Sequence, residues 1–173
     1  MLNIFNDEFY FHKGKIGLRN VVYAFDLDWT IIKPRQGKFP KNKDDWTFLP
    51  NRTKKLKYFQ EQGITLAIFT NQGYQGYKLK ESLERINQVI NELNSLEIDP
   101  WVFVATGPNS SYRKPDPKMW NFFTSFVPSV DMSLSLYCGD AAGRPQDYDD
   151  VDKRFAENIG LKFFEPEKIF GPK

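Results

Sequence analysis

Apolar runs of strand length constrain the fold of this chain more than any other feature of its sequence. Four such runs occur, at residues 21–25, 64–69, 101–105 and 134–138, ahead of a short strand predicted at 161–164. Continuous apolar runs are typical of parallel strands buried on both faces. Helical patterns alternate with them, at residues 53–62, 78–96, 117–126 and 151–158. The alternation predicts an α/β fold with a doubly wound, mainly parallel sheet and helices on both faces.

The length and composition of the chain suit a single domain over residues 1–173. Apolar residues make up 40% of the chain, which is enough for an ordinary globular core. Two segments depart from the plain alternation of strands and helices. Residues 1–20, with their alternating aromatic side chains, predict a hairpin at the edge of the sheet. Residues 30–50 are too long for a simple connection and predict a small flap over the site.

Composition excludes several kinds of site and indicates no partner by itself. The chain has 24 basic and 22 acidic residues, a balance that predicts neither a nucleic-acid nor a membrane partner. The one histidine, His12, is expected at the surface, and the one cysteine, Cys138, is expected to be a buried thiol. The chain therefore has too few histidines for a site built on several of them, and too few cysteines for an internal disulfide. Without an apolar run of 18 residues, we expect a soluble, monomeric intracellular protein, in the cytoplasm or nucleus, with no membrane partner.

Two carboxylates follow the first apolar run directly. Asp26 and Asp28 are two residues apart, so on a continuing strand their side chains share one face. One carboxylate can then attack a phosphorus atom, while the other donates a proton to the leaving oxygen and later activates water. A solvated turn explains this spacing equally well when it is considered alone.

Polar residues also follow the later runs, where the carboxyl ends of parallel strands meet at one edge of the sheet. Thr70 and Asn71 offer a hydroxyl and backbone N–H groups to phosphate oxygens. Lys114 can neutralise charge that develops on a phosphoryl group. Asp140 and Asp26 together supply the hard oxygen ligands that Mg²⁺ prefers. The ordered series predicts one phosphate-handling site.

These elements resemble the four motifs of the haloacid dehalogenase superfamily of phosphohydrolases, over about residues 21–170. The resemblance implies that Asp26 is the nucleophile, Asp28 the general acid and base, and Thr70 a phosphate ligand. It further implies that Lys114 neutralises charge. Mg²⁺ would be held by Asp26, Asp140 and the backbone carbonyl of Asp28, under a minimal cap.

A narrower resemblance is to the phosphatase domain of polynucleotide kinase 3′-phosphatases. The stretches that carry it are QGKFPKNKDDW, IFTNQGYQG, YRKPDPKMW, GDAAGRP and RFAENIGLKFF. It implies a nucleic-acid substrate whose terminal 3′-phosphate, favoured on a single-stranded end, is hydrolysed through an aspartyl-phosphate, with a role in strand-break repair. The chain contains no GxxxxGK[ST] phosphate loop, so we expect a stand-alone phosphatase.

Two positions depart from the family pattern. Trp29 stands where the family usually has glycine, beside the catalytic loop, and we expect it to pack under the flap or to contact a base. The second acidic residue of the fourth motif is displaced by the segment AAGRPQDYDDV. Asp152 is the best candidate for that residue, and we expect it to orient Lys114.

Candidate substrate contacts are basic, amide and aromatic side chains near the motifs. The flap is rich in lysine and arginine, and we single out Lys38 there, together with Asn71, Arg113 and Arg144 beside the motifs. Three aromatic residues are candidates for stacking on bases, namely Trp46, Tyr74 and Tyr77. Each of these residues also has an ordinary structural explanation, as a solvated charge or a packed ring.

Two alternative functions stay open at this point. A small-molecule phosphatase of the histidinol-phosphate or heptose-bisphosphate type shares the core motifs, but such enzymes commonly carry a Cys/His zinc loop that this chain lacks residues to build. An inactive module that binds DNA ends is the second alternative. Turnover of a chromogenic phosphate ester separates that module from both enzymes.

Overall fold

The computed structural model describes residues 1–17, 19–127 and 129–172. The strands within these residues are β1 (Asn3–Asn6), β2 (Phe9–His12), β3 (Val22–Phe25), β4 (Ile32–Lys33), β5 (Thr47–Phe48), β6 (Thr65–Gln72), β7 (Trp101–Thr106), β8 (Leu136–Cys138) and β9 (Lys162–Phe164). The helices are α1 (Arg52–Glu61), α2 (Gly76–Ser95), α3 (Lys118–Thr124), α4 (Val151–Ile159) and α5 (Pro166–Phe170). The predicted strands and helices all occur, with ends shifted by one to a few residues.

The central sheet has seven strands in the order β1-β2-β7-β6-β3-β8-β9. Strands β7, β6, β3, β8 and β9 are parallel, whereas β1 and β2 pair antiparallel with each other and β2 pairs antiparallel with β7. The strand β3 therefore lies inside the sheet, between β6 and β8. Its carboxyl end is where a doubly wound sheet places a ligand.

Two apolar clusters cover the two faces of this sheet. On one face, Phe69 and Phe103 pack against aromatic side chains of α3 and α4, including Phe123 and Phe155. The opposite face packs against α1, α2 and α5 through Leu56, Ile86, Ile90, Leu93 and Phe170. The alternating side chains of β3 serve both clusters, since Ala24 joins the first and Phe25 the second. Helices on both faces confirm the predicted α/β class.

Two details of the sequence interpretation were wrong or incomplete. His12 is buried rather than at the surface, because it lies on β2, inside the sheet edge, and its Nδ1 contacts the amino group of Met1 at 3.1 Å. The short helix α5 was not predicted. Five residues are too few to give a helical periodicity, so Pro166 at its first turn is its main local signal.

The long segment after β3 contains the two-stranded sheet of β4 and β5, in which Ile32 pairs with Phe48. Within the predicted segment 30–50, we now call residues 33–46 the flap; they comprise Lys33, the last residue of β4, and the residues that connect it to β5. No helix in the described residues combines the length and the apolar character that a membrane crossing requires.

Candidate functional site

The candidate nucleophile lies immediately beyond β3. The backbone N–H of Asp26 donates to the carbonyl of Cys138 at 2.9 Å, which continues the pairing of β3 with β8 by one residue. This bond fixes the backbone of Asp26 against the strand that leads to Asp140. The Asp26 side chain is largely buried, with 11% of its surface exposed.

Lys114 connects Asp26 to a second buried carboxylate. Its Nζ lies 2.9 Å from Asp26 Oδ1 and 2.8 Å from Asp152 Oδ1. The Tyr137 hydroxyl donates to the same Asp152 oxygen at 2.7 Å. Burial alone would lower the pKa of Lys114, but the charges of Asp152 and Asp26 outweigh it and raise the pKa. The ammonium is therefore held charged, at contact distance from the candidate nucleophile.

Asp152 is positioned by the first turn of α4 and by close packing. Its Oδ2 accepts the backbone N–H of Ala141 at 3.1 Å, so both carboxylate oxygens are engaged within the protein. A Cβ at Gly139 would overlap the Asp152 carboxyl carbon, so only glycine fits there. These contacts place Asp152 against Lys114, and its role in orienting Lys114 stays a prediction.

Asp140 faces Asp26 across a shared polar contact. The Thr30 hydroxyl donates to Asp26 Oδ2 at 3.2 Å and accepts the backbone N–H of Asp140 at 3.2 Å. Burial raises the pKa of Asp26, and the charges of Asp152 and Asp140 add to that rise. Burial and Asp152 likewise raise the pKa of Asp140, to about 6. Thr30 thus links the Asp26 carboxylate to the backbone of Asp140. The ionised forms of the two carboxylates repel each other.

This group of carboxylates fits a divalent cation. Oxygens of Asp26, Asp140 and Asp152 lie within 4.8 Å of one another, and Lys114 supplies the one cation in ion-pair contact with them among the described residues. Three carboxylates and one ammonium leave an excess of negative charge in a buried place. A hard cation with oxygen ligands relieves that excess. The Asp152 side chain is almost fully buried and both of its oxygens are engaged, whereas Asp26 Oδ2 makes a longer contact, 3.2 Å, with the Thr30 hydroxyl. Asp26, through Oδ2, and Asp140 are therefore the side-chain ligands better placed for a cation.

Asp28 is held by a different set of side chains. Arg85, on α2, places Nη1 2.7 Å from Asp28 Oδ1, and Gln72 donates from Nε2 to Oδ2 at 2.9 Å. Burial alone would raise the pKa of Asp28, but the charge and the hydrogen bonds of Arg85 and Gln72 lower it. The Asp28 side chain nevertheless keeps 32% of its surface exposed. It is therefore both ionised and reachable from solvent.

Thr70 and Asn71 end β6 in two different roles. Thr70 is buried, and its hydroxyl accepts a hydrogen bond from Gln72 Nε2 at 2.8 Å. The Asn71 side chain forms two hydrogen bonds with the backbone of Lys114, one to the N–H at 2.8 Å and one to the carbonyl at 3.0 Å. Asn71 therefore fastens the loop that carries Lys114, and its side-chain amide is engaged in that contact.

The basic candidates for substrate contact have unlike surroundings. The Arg113 guanidinium lies against Gly73, and its Nη1 is buried without a hydrogen-bond partner among the described residues. Arg144, in contrast, contacts Asp147 at 2.8 Å and Glu167 at 3.2 Å. Arg144 also donates to the carbonyl of Asp140 at 3.3 Å. These contacts indicate that Arg144 holds the Asp140 loop, whereas Arg113 has donor capacity to spare.

Several residues of the site were missed by sequence reasoning. They are Thr30, Gln72, Ser82, Arg85 and Tyr137. Thr30 had a local signal, because it stands four residues after Asp26 in the same loop. Arg85 had none, because an arginine inside an amphipathic helix is ordinarily a surface residue. Its burial depends on the packing of α2 against the end of β6.

Comparison with known sequences identifies a family, a relative that is much longer than this chain and a relative of similar length. The family profile described as polynucleotide kinase 3 phosphatase matches residues 21–170. A bifunctional polynucleotide phosphatase/kinase from Schizosaccharomyces pombe is 41% identical over 170 residues, which cover 95% of this chain and 41% of that protein. The chain thus spans less than half of that relative. A polynucleotide 3′-phosphatase from Saccharomyces mikatae is 31% identical, with 86% of this chain and 84% of that protein covered.

Solved structures support the same fold at low identity. The D,D-heptose 1,7-bisphosphate phosphatase from B. bronchiseptica, solved with magnesium and phosphate, aligns with a TM-score of 0.62. The alignment covers 83% of this chain and 78% of that one, at 17% identity. At this identity the likeness concerns the arrangement of the sheet and helices.

Proposed function

Because this chain belongs to the polynucleotide kinase 3 phosphatase family, we propose that it is a magnesium-dependent polynucleotide 3′-phosphatase. The observation that carries the proposal is the contact of Asp26 with Lys114, beside Asp140 and at the end of the central strand β3. One oxygen of Asp26 contacts the Lys114 ammonium, and the carboxylate lies near Asp140, the second proposed metal ligand. A carboxylate in these surroundings is suited to accept a phosphoryl group. The reaction restores a 3′-hydroxyl, as strand-break repair requires.

In the first half of the proposed reaction, an Asp26 oxygen attacks the phosphorus of the terminal 3′-phosphate. A bond forms between that oxygen and phosphorus while the bond from phosphorus to the 3′-oxygen breaks. Asp28 donates a proton to the departing 3′-oxygen, which leaves as a hydroxyl. Since Arg85 and Gln72 favour the ionised form of Asp28, it has to take up a proton before this step. Lys114 opposes the negative charge gathered around Asp26.

In the second half, water attacks the phosphorus of the aspartyl-phosphate. Asp28 accepts a proton from this water, and the bond between phosphorus and the Asp26 oxygen breaks. The ionised state that Arg85 favours is the state this step needs. Phosphate is released, and Asp26 is again a carboxylate.

Mg²⁺ is the metal we propose for the carboxylate group. Asp26 and Asp140 would hold it, with the backbone carbonyl of Asp28 as a further ligand. When bound, it supplies positive charge that lessens the repulsion between Asp26 and an anionic phosphate. Burial and the charge of Asp152 raise the pKa values of Asp26 and Asp140 despite the nearby Lys114, and a bound cation would offset both causes.

A nucleic-acid substrate is supported by the surroundings of the site. Arg113, which precedes Lys114, has one buried guanidinium donor without a partner in the part of the chain that the structure describes. A groove of about 320 Å³ lies between the β1–β2 turn, the β6–α2 loop and the β7–α3 loop, and Tyr74, Gln75 and Asn109 line part of it. Tyrosine and amide side chains can stack on bases and bind their edges. We propose that Arg113 and this groove receive the nucleotides next to the terminal phosphate.

The test compares substrates with the wild-type chain and one variant. We expect Mg²⁺-dependent phosphate release from a single-stranded oligonucleotide with a 3′-phosphate, and much slower release from histidinol phosphate or heptose 1,7-bisphosphate. Asp26→Asn should lower turnover by at least about 1,000-fold while thermal unfolding stays cooperative. Chelation of the metal should stop the reaction, and added Mg²⁺ should restore it.

Each contrary result has a definite meaning. If the protein prefers histidinol phosphate or heptose 1,7-bisphosphate to the oligonucleotide, its substrate is a small molecule and not a polynucleotide. If the protein hydrolyses none of the phosphate esters, including a chromogenic one, the remaining explanation is an inactive module that binds DNA ends. Retained turnover in Asp26→Asn would remove Asp26 as the nucleophile.

A further inference from the structure

Trp29 adopts a backbone conformation that is costly for a bulky residue. Its φ is 64°, in the left-handed region, and it directly follows Asp28. A residue with a side chain pays about 1–2 kcal/mol there, so the surroundings have to maintain the conformation. The backbone N–H of Trp29 donates to the carbonyl of Ile32 at 2.6 Å, which closes the loop on itself.

The side chain of Trp29 joins this loop to the flap. Its indole Nε1–H donates to the carbonyl of Lys38 at 3.1 Å. Lys38 lies near the middle of the flap, while Trp29 is adjacent to the candidate acid and base. This hydrogen bond therefore connects the middle of the flap to the catalytic loop.

The rest of the flap is braced at two further places. The Asp45 carboxylate accepts the backbone N–H groups of Arg35 at 2.9 Å and Lys41 at 2.8 Å, so it ties the two limbs of the flap together. Gln88, on α2, donates to Asp44 at 2.8 Å and accepts the indole N–H of Trp46 at 2.9 Å. These contacts hold the base of the flap, and Trp29 holds its middle.

The braced flap carries positive charge that the protein leaves largely unpaired. It has five basic side chains and two acidic ones. Lys43 pairs with Asp44 at 3.0 Å, but Lys33, Arg35, Lys38 and Lys41 form no ion pair within the described residues. Unpaired cations on a fixed segment suit the evenly spaced phosphates of a nucleic-acid strand.

We propose that Trp29 is a specificity-determining residue, which fixes the flap at Lys38 so that the flap cations bind the backbone phosphates preceding the terminal one. The inference rests on the proposed function. It adds a way in which the protein recognises the nucleotides that precede the terminal 3′-phosphate of a nucleic-acid strand. Long substrates should gain from the fixed flap, whereas a substrate with one phosphate should not.

The test is Trp29→Phe, which keeps an aromatic ring and the left-handed backbone but removes the N–H donor. We expect kcat/KM for a five-nucleotide 3′-phosphorylated strand to fall about fivefold, as the loss of one hydrogen bond suggests. Turnover of a nucleoside 3′-monophosphate and of p-nitrophenyl phosphate should stay within about twofold of wild type. The dependence of log kcat/KM on log salt concentration should become shallower by about 0.7 or more for the strand.

Limited trypsin digestion gives a second reading that does not depend on activity. Cleavage after Lys38 or Lys41 should be faster in Trp29→Phe than in the wild type. Lys57→Ala, which removes an exposed cation on α1 paired with Glu97, is the matched control and should leave the salt dependence unchanged. Lys38→Ala should make the salt dependence shallower with no change in trypsin cleavage after Lys41.

Three results would overturn the inference. They are equal losses on the strand and on the small esters, unchanged kinetics of Trp29→Phe on the strand, and a trypsin pattern identical to that of the wild type. Failure of the proposed function is distinguishable from all three, since it would appear as absent strand turnover in the wild-type protein itself.

Discussion

Arg85 is a buried cation that acts on the candidate site through one carboxylate. It has 3% of its side chain exposed and contacts both oxygens of Asp28, at 2.7 and 3.4 Å. A buried charge without its partner is strongly unfavourable, so each residue of this pair fixes the other. Gln72 and Ser82 extend the contact into a small hydrogen-bonded network. This network sets the ionisation and the direction of Asp28.

Replacing Arg85 should therefore slow the second half of the proposed reaction. In Arg85→Gln the ion pair that fixes the Asp28 carboxylate is lost, so Asp28 is less well placed to accept a proton from the attacking water. With p-nitrophenyl phosphate, whose leaving group needs no proton, we expect a rapid burst of nitrophenolate followed by steady turnover about 10–100 times slower than wild type. Rapid-mixing absorbance measures both phases.

Two further variants separate positioning from folding. Arg85→Lys keeps the charge and should recover part of the steady rate. Arg154→Gln removes an exposed arginine of α4 that pairs with Asp150, and its burst and steady rate should equal those of the wild type. Slow turnover of Arg85→Gln without a burst would place the effect before the formation of the aspartyl-phosphate.

At the scale of elements, the contact between β8 and α4 determines where Lys114 is held. Gly139 follows β8, and Asp152 stands in the first turn of α4, pressed against it. Gly139→Ala should force the two elements apart. We expect a loss of about 1–3 kcal/mol in the free energy of unfolding, as for other overpacked sites.

Urea denaturation measures this loss, and phosphatase activity should fall with it because Asp152 no longer aligns Lys114. Gly17→Ala is the matched control, since a methyl group there meets no atom within 4 Å among the described residues beyond its chain neighbours, and the backbone φ is ordinary. An unchanged urea midpoint in Gly139→Ala would mean that α4 moves freely relative to β8.

The strands and helices could be predicted from the sequence where a local pattern, such as an apolar run, specifies them. The strand ends that carry Asp26, Thr70 and Asp140 follow apolar runs that specify buried parallel strands, so the order of the motifs along the chain predicts their meeting at one edge. The contact of Arg85 with Asp28 joins α2 to the end of β3 across 57 residues. No pattern within α2 contains that information, because it depends on how the helix packs.

For the whole molecule, we expect the excess of carboxylates to couple binding of the proposed cation to stability. Asp26 and Asp140 repel each other in the folded chain and separate on unfolding, so a bound cation stabilises the folded state. At Mg²⁺ ten times above its dissociation constant, the gain is about 1.4 kcal/mol. This corresponds to a rise in Tm of roughly 3–6 °C for a chain of this size.

Thermal unfolding with and without Mg²⁺ measures the coupling directly. Asp140→Asn should have a higher Tm than the wild type when no metal is present, because one repelling charge is gone, and should respond little to Mg²⁺. An equal response of both proteins to Mg²⁺ would show that the cation binds elsewhere.

The central position of β3 also fixes when, during synthesis, the protein can begin to act. The strand carrying Asp26 is made early, yet both of its neighbours, β6 and β8, are made later. In a nascent polypeptide that still lacks residues 136–152, Asp26 has neither its backbone partner Cys138 nor the Asp152 that aligns Lys114. We expect a ribosome-bound fragment of this length to be inert towards phosphate esters. The order of the strands thus places the proposed hydrolysis after residues 136–152 have been synthesised.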